Sequence, residues 1–193
     1  MKQIITISRQ YGSGGRIIGQ ETASLLSIPC YDSKIIEELA EKTGLRKDFV
    51  EDSTESSDDW MVFSFSSKRI NSRTIQNDLW NAQCAVIRQL AEKPCIIVGR
   101  GADFILKERT DLLKVFIYAD TASRIARVRE VYHETPSDPE KYLREKDRGR
   151  ASYYQSHADM TWGDSSHYDL ALNSSSLGIK PCAEILAELF RSL

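Results

Sequence analysis

Ser8-Arg9-Gln10-Tyr11-Gly12-Ser13-Gly14-Gly15-Arg16 stands between an apolar run and a helical pattern, and its reading decides the fold. Before it, Gln3-Ile4-Ile5-Thr6-Ile7 is β-rich and has the length of a buried parallel strand. After it, Ile17, Ile18, Thr22, Leu25 and Leu26 recur at helical spacing, so the glycines fall at a strand-to-helix turn. Glycines at 12, 14 and 15 let the backbone bend tightly and aim several N–H groups at one point. The helix N-terminus adds partial positive charge there, and Arg16 adds a full one. Phosphate is the natural ligand for such a turn; a glycine-rich bend that binds nothing is the alternative.

The 193 residues suffice for one α/β-sized domain with a core of its own. A formal net charge of -2 argues against a surface built for nucleic acid polymers or anionic membranes, while leaving room for a local basic cleft. No run approaches the ~18 apolar residues of a membrane span. The first strand begins almost at Met1, which leaves no space for a signal peptide and predicts a cytoplasmic protein. Cys30, Cys84, Cys95 and Cys182 are scattered without a CxxC pair, as expected of reduced thiols. His133, His157 and His167 lack metal-ligand spacing.

Downstream, Cys30-Tyr31-Asp32 reads as a short second strand, with Asp32 either capping the next helix or reaching a ligand. Residues 51–59 hold five carboxylates and no basic residue, which suggests an exposed loop. Trp60, Met61, Phe63 and Phe65 could form a flap over a cleft, and Ile70 to Leu90 has the pattern of a long helix. Arg69, just before that stretch, and Arg73 within it are either solvated or salt-bridged, or reach into a cleft.

Pro94 to Val98 is the next buried strand and runs into Gly99-Arg100-Gly101-Ala102-Asp103, at the sheet edge where open α/β folds bind ligands. Leu112 to Tyr118 is a fourth strand, and Asp120 or Thr121 caps a helix on which Arg124 and Arg127 share a face. Residues 141–150 form a basic helical segment, suited either to a lid over polyphosphate or to a solvated face laced with ion pairs. Tyr168 to Asn173 is a fifth strand, Ser174 to Gly178 a loop, and Pro181 to Leu193 a closing helix.

Strands alternating with helices predict a three-layer α/β/α fold around a five-stranded parallel sheet. With the glycine turn directly after the first strand, the chain resembles the P-loop nucleoside monophosphate kinases, and most closely the cytidylate kinase-like family. The resemblance spans nearly the whole chain. It rests on residues 8–16, Tyr31-Asp32, residues 99–103, residues 147–154 from Asp147-Arg148-Gly149-Arg150 onward, Trp162-Gly163-Asp164 and Tyr168-Asp169-Leu170.

The resemblance implies a single domain over 1–193, with an acceptor-binding inset at 33–90 and a small helical lid at 133–165. It implies ATP phosphates at Gly12, Ser13, Gly14, Gly15 and Arg16, with Arg127 nearby, and adenine passing Asn173 to Ser175. Asp32, Arg100, Asp103 and Asp147 would lie on the acceptor side, and Arg16, Arg100, Arg148 and Arg150 would surround the transferring group. The implied partners are ATP with Mg²⁺ and a nucleoside monophosphate, CMP or dCMP, with Asp103 the candidate metal carboxylate.

Three departures qualify this. The usual GxxxxGK[ST] loop places Lys at the β/γ-phosphates and a hydroxyl on Mg²⁺. Here Gln10 replaces the first Gly, Arg16 replaces the Lys, and Ile17 and Ile18 carry no hydroxyl. A nucleotide-binding protein with little turnover, or a kinase for another small metabolite, are the alternatives.

Overall fold

The computed structural model describes residues 3–32, 73–158 and 160–193, with side chains of the long helix described from Trp80 onward. Five strands form one parallel sheet: β1 (Ile4–Arg9), β2 (Cys30–Tyr31), β3 (Cys95–Val98), β4 (Leu112–Tyr118) and β5 (Leu170–Asn173), in the order β2-β3-β1-β4-β5. Around them lie α1 (Gly15–Leu26), α2 (Arg73–Leu90), α3 (Ala102–Ile105), α4 (Thr121–Glu130), α5 (Pro139–Gln155), α6 (Ser174–Leu177) and α7 (Ile179–Ser192).

Alternation along the central strands divides the core into two layers. Ile5, Ile7, Ile96 and Val98 face α1 and α7, packing with Ile18, Ala183 and Leu186. Ile4, Cys95 and Ile97 face the other way, onto Val86, Ile87 and Ala91 at the end of α2 and onto α3. Both faces of the sheet are covered, which is why β1 reads as a continuous apolar run. The expected three-layer α/β/α architecture is the one observed.

The topology fixes where a ligand belongs. Chain leaving β1 runs toward β2 on one side, while chain leaving β3 crosses β1 to reach β4 on the other. The crevice between the carboxyl ends of β1 and β3 is therefore the switch point. Both the glycine turn after β1 and Gly99-Arg100-Gly101 after β3 open onto it.

Several boundaries differ from expectation. The fifth strand starts at Leu170, because Tyr168 turns its ring onto Phe116 at 5.0 Å between centroids. The serines after β5 are helical rather than looped: Asn173 caps α6 by accepting from the amides of Ser175 at 3.1 Å and Ser176 at 3.4 Å. The closing helix begins at Ile179, two residues before Pro181, which takes the first-turn position where proline costs no hydrogen bond. The helix expected after Asp32, the acidic loop, the aromatic flap and Arg69 lie outside the described residues, as does most of the 33–90 inset.

Candidate phosphate-binding site

The turn after β1 is held from behind by its carbonyls. The carbonyl of Arg9 accepts from Arg150 Nη1 at 2.9 Å. That of Gln10 accepts from the amide of Ser13 at 3.2 Å and from its hydroxyl at 2.9 Å. Tyr11 O accepts from Arg124 Nε at 2.6 Å, Gly12 O from Arg127 Nη1 at 2.6 Å, and Ser13 O from Ser174 Oγ at 2.5 Å. Five consecutive carbonyls, from Arg9 to Ser13, are thus engaged, three of them by guanidinium groups. Hydrogen bonds to charged donors are the stronger kind, so the turn is fixed firmly.

The amides are left on the other side. No hydrogen bond among the described residues uses the N–H of Gly12, Gly14 or Gly15. Gly14 caps α1 in a left-handed conformation (φ 80°), and the first helical residue follows at once. A Cβ on Gly14 would run into the Ile179 side chain and crowd Arg127 Nε at 3.2 Å, in a backbone conformation that favours glycine. Preorganised N–H groups at a helix start are an anion site.

Beneath the turn, Asp147 and Glu134 tie it to α5 and to the segment after α4. Asp147 Oδ1 accepts from the Tyr11 amide at 2.7 Å, and its other oxygen pairs with Arg124. The Tyr11 hydroxyl donates to Glu134 at 2.8 Å, and the Tyr142 hydroxyl donates to the same carboxylate at 3.0 Å. Lys146, only 3% exposed, lies over the Tyr11 and Tyr142 rings at 5.2 and 4.8 Å. Gln10 accounts for its own departure from the common motif: its Oε1 accepts from the Ala119 amide at 3.2 Å, closing the end of β4.

In front of the turn is a cavity of about 20 Å³ lined by Arg9, Gln10, Tyr11, Gly12, Gly14, Gly15, Arg16, Tyr132 and Arg150. Three guanidinium groups and no carboxylate line it, so a basic cleft exists on a chain of net charge -2. Of the expected site residues, the structure brings Gly12, Gly14, Gly15, Arg16 and Arg150 to this cavity. Ser13 and Arg127 sit behind it, holding the turn.

The others are placed elsewhere. Arg16 Nε pairs with Asp32 at 2.8 Å, which couples the cation expected at the donor phosphates to a carboxylate expected on the acceptor side. Arg148 is exposed on α5. Asp147 faces the back of the turn rather than the cleft. Asp103 is 3% exposed and accepts from the Tyr154 hydroxyl at 2.8 Å; burial raises its pKa above the usual carboxylate range. It does not line the cavity, and among the described residues no group of three His, Cys, Asp or Glu side chains could hold a metal.

Arg100 has φ 59°, between Gly99 at 78° and Gly101 at 65°, so three successive residues are left-handed. A non-glycine residue there is strained, and such strain gathers at functional sites. Its carbonyl accepts from Gln83 Nε2 at 2.9 Å. Trp80, stacked on His157 at 3.9 Å and edge-on to Tyr153, stands beside Gly101.

Sequence reasoning gave no site role to Arg9, Tyr11, Arg124 or Lys146. The shared face of Arg124 and Arg127 was the available signal, since cations three apart on the helix after β4 point together.

Similar proteins agree with this arrangement at the level of fold. A crystal structure of an uncharacterized protein from Eubacterium ventriosum ATCC 27560 superposes with a TM-score of 0.75 at 24% identity, over 100% of both chains. Shikimate kinase from Acinetobacter baumannii in complex with shikimate gives 0.57 at 17% identity, over 100% of this chain and 94% of that one. Shikimate kinase from Bacteroides thetaiotaomicron gives 0.56 at 14%, over 97% and 98%. A comparison with curated proteins finds no match. The sequence profile of the cytidylate kinase-like family covers residues 4–176, from β1 through most of α6, and the chain belongs to that family.

Proposed function

We propose that the protein transfers the γ-phosphoryl group of ATP to a nucleoside monophosphate, CMP or dCMP foremost, in the cytoplasm. Family and fold are those of nucleotide and small-molecule kinases. The observation that carries the reading is the turn itself: five tethered carbonyls behind, and the amides of Gly12, Gly14 and Gly15 in front.

In the reaction, an oxygen of the acceptor phosphate forms a bond to Pγ as the bond from Pγ to the β-bridging oxygen breaks. The bond pair leaves on ADP. A dianionic acceptor phosphate brings no proton to remove, so the protein's work is alignment and charge stabilisation. The loop amides would hold the donor phosphates, and the cleft guanidiniums would spread the charge that develops on the transferring group. Mg²⁺ would enter as part of the nucleotide substrate, its protein-side contacts made through water, since the cavity lining offers no carboxylate.

In this reading α5 is the lid helix: Arg150, which lines the cavity while anchored on the Arg9 carbonyl, and Arg148, exposed on the same helix, would close on the phosphates. On the acceptor side, Arg100 and the Trp80–His157 stack support a place for a phosphate and a planar base.

The test is a coupled ADP-release assay of the full chain with ATP·Mg²⁺ and each monophosphate. CMP or dCMP is expected to elicit the fastest ADP release. Release no faster with any monophosphate present than with ATP·Mg²⁺ alone would refute the kinase reading. One observation favours a second reading, nucleotide binding with little turnover: Arg16 is held by Asp32 and no hydroxyl follows it. That reading predicts stabilisation by nucleotide without product.

A further inference from the structure

The cation that stands where the common motif has its lysine is not the one best placed to meet phosphate. Arg16 is 45% exposed and held at 2.8 Å by Asp32. Arg9, the last residue of β1, is half-buried, and its side chain lies across the switch-point crevice. A Cβ on Gly15 would lie 2.6 Å from Arg9 Cβ and 3.0 Å from its Cγ. At the far side of the crevice, a Cβ on Gly99 would overlap Arg9 Nη1 and lie 2.9 Å from its Cζ. Two glycines on different elements therefore clear a channel for this one side chain.

The guanidinium ends in the cleft without an acceptor: no hydrogen bond, ion pair or ring contact engages it among the described residues. Its backbone is nonetheless fixed, because the Arg9 carbonyl takes Arg150 and the Gly99 amide donates to Ile7 O at 2.9 Å. A half-buried, preorganised and unpartnered planar cation beside three amides is a ready bidentate partner for an oxyanion.

We infer that Arg9 is the phosphate-contacting cation of this site, taking the part that the common motif gives to its lysine, with Arg16 oriented instead toward Asp32. The inference rests on the nucleotide-binding reading above and adds to it the residue that holds the polyphosphate.

Calorimetric titration of the full chain with ATP·Mg²⁺ and with inorganic tripolyphosphate tests it, in wild type, Arg9→Met, Arg9→Lys and Arg16→Met, with the melting temperature of each apo protein measured alongside. Arg9→Met is expected to weaken tripolyphosphate binding by at least about tenfold with little change in apo melting. Arg9→Lys should recover part of the loss, and Arg16→Met should cost less than Arg9→Met. The Lys variant keeps the charge and stem, so it still reports should the Met variant fold poorly. Wild-type binding with Arg9→Met within about threefold of it, or with the larger loss in Arg16→Met, overturns the inference and leaves the nucleotide-binding reading standing. Absence of wild-type binding to either probe overturns both.

Discussion

Arg124 and Asp147 meet as a nearly buried ion pair directly behind the glycine turn after β1, with side chains 8% and 17% exposed. Each also holds the backbone of Tyr11, one at its carbonyl and the other at its amide. A residue from α4 and one from α5 thus share a single loop residue, which couples the geometry of the turn to the position of α5.

Removing one partner leaves a charge buried without compensation. Arg124→Met should destabilise the protein by about 3 kcal/mol in urea unfolding, and weaken ATP binding in the remaining folded protein. Asp147→Asn, which can still accept from the Tyr11 amide, should lose less. Equal losses from the two variants would argue against the shared role of the backbone contacts.

Gly12 has φ 75°, and a Cβ there would lie 2.8 Å from the Arg124 carbonyl oxygen, a backbone atom that cannot swing aside. Gly12→Ala should therefore cost about 1–3 kcal/mol in folding stability and also reduce nucleotide binding, since the amide is at the mouth of the cleft. A variant as stable as wild type would show that the turn adapts freely.

Asp103 carries a pH prediction. Burial raises its native pKa above the ordinary value of 3.8, with the Tyr154 hydrogen bond opposing. The folded state then holds its proton more tightly than the unfolded state, so this residue's contribution falls as pH rises from near 4 through the native pKa. Asp103→Asn cannot ionise and keeps a carbonyl acceptor for Tyr154. Its stability relative to wild type should increase across that window in chemical denaturation at stepped pH. Parallel curves for the two proteins would refute it.

Thr6 offers a stabilising change. Its hydroxyl is buried within the central strand and has no hydrogen-bond partner among the described residues. Thr6→Val replaces that hydroxyl with a methyl of similar shape and should raise the melting temperature. A lower melting temperature would mean that the hydroxyl has a partner, such as an ordered water.

The sheet was legible because burial on both faces writes strands as short apolar runs, as in Ile4-Ile5-Thr6-Ile7 and Cys95-Ile96-Ile97-Val98. The glycine turn was legible because a left-handed cap and a close approach by Arg127 admit little else. Long-range partnerships were not. Nothing local to Asp147 says that it will lie behind the loop, 136 residues from Tyr11. The place of Arg9 is likewise not written locally, since it depends on Gly99, which folding brings beside it. Asp103 looked like a cleft carboxylate by its position after β3, whereas the four-residue α3 turns it inward onto Tyr154.

Titration of the ¹⁵N-labelled full chain with ATP·Mg²⁺, followed by amide resonances, tests the tethered turn most directly. Largest shifts at the amides of Gly12, Gly14 and Gly15, saturating together, are the predicted result. Saturable binding that leaves those three amides unmoved would contradict it, because the nucleotide would then be held somewhere other than the turn whose carbonyls the fold has tied back.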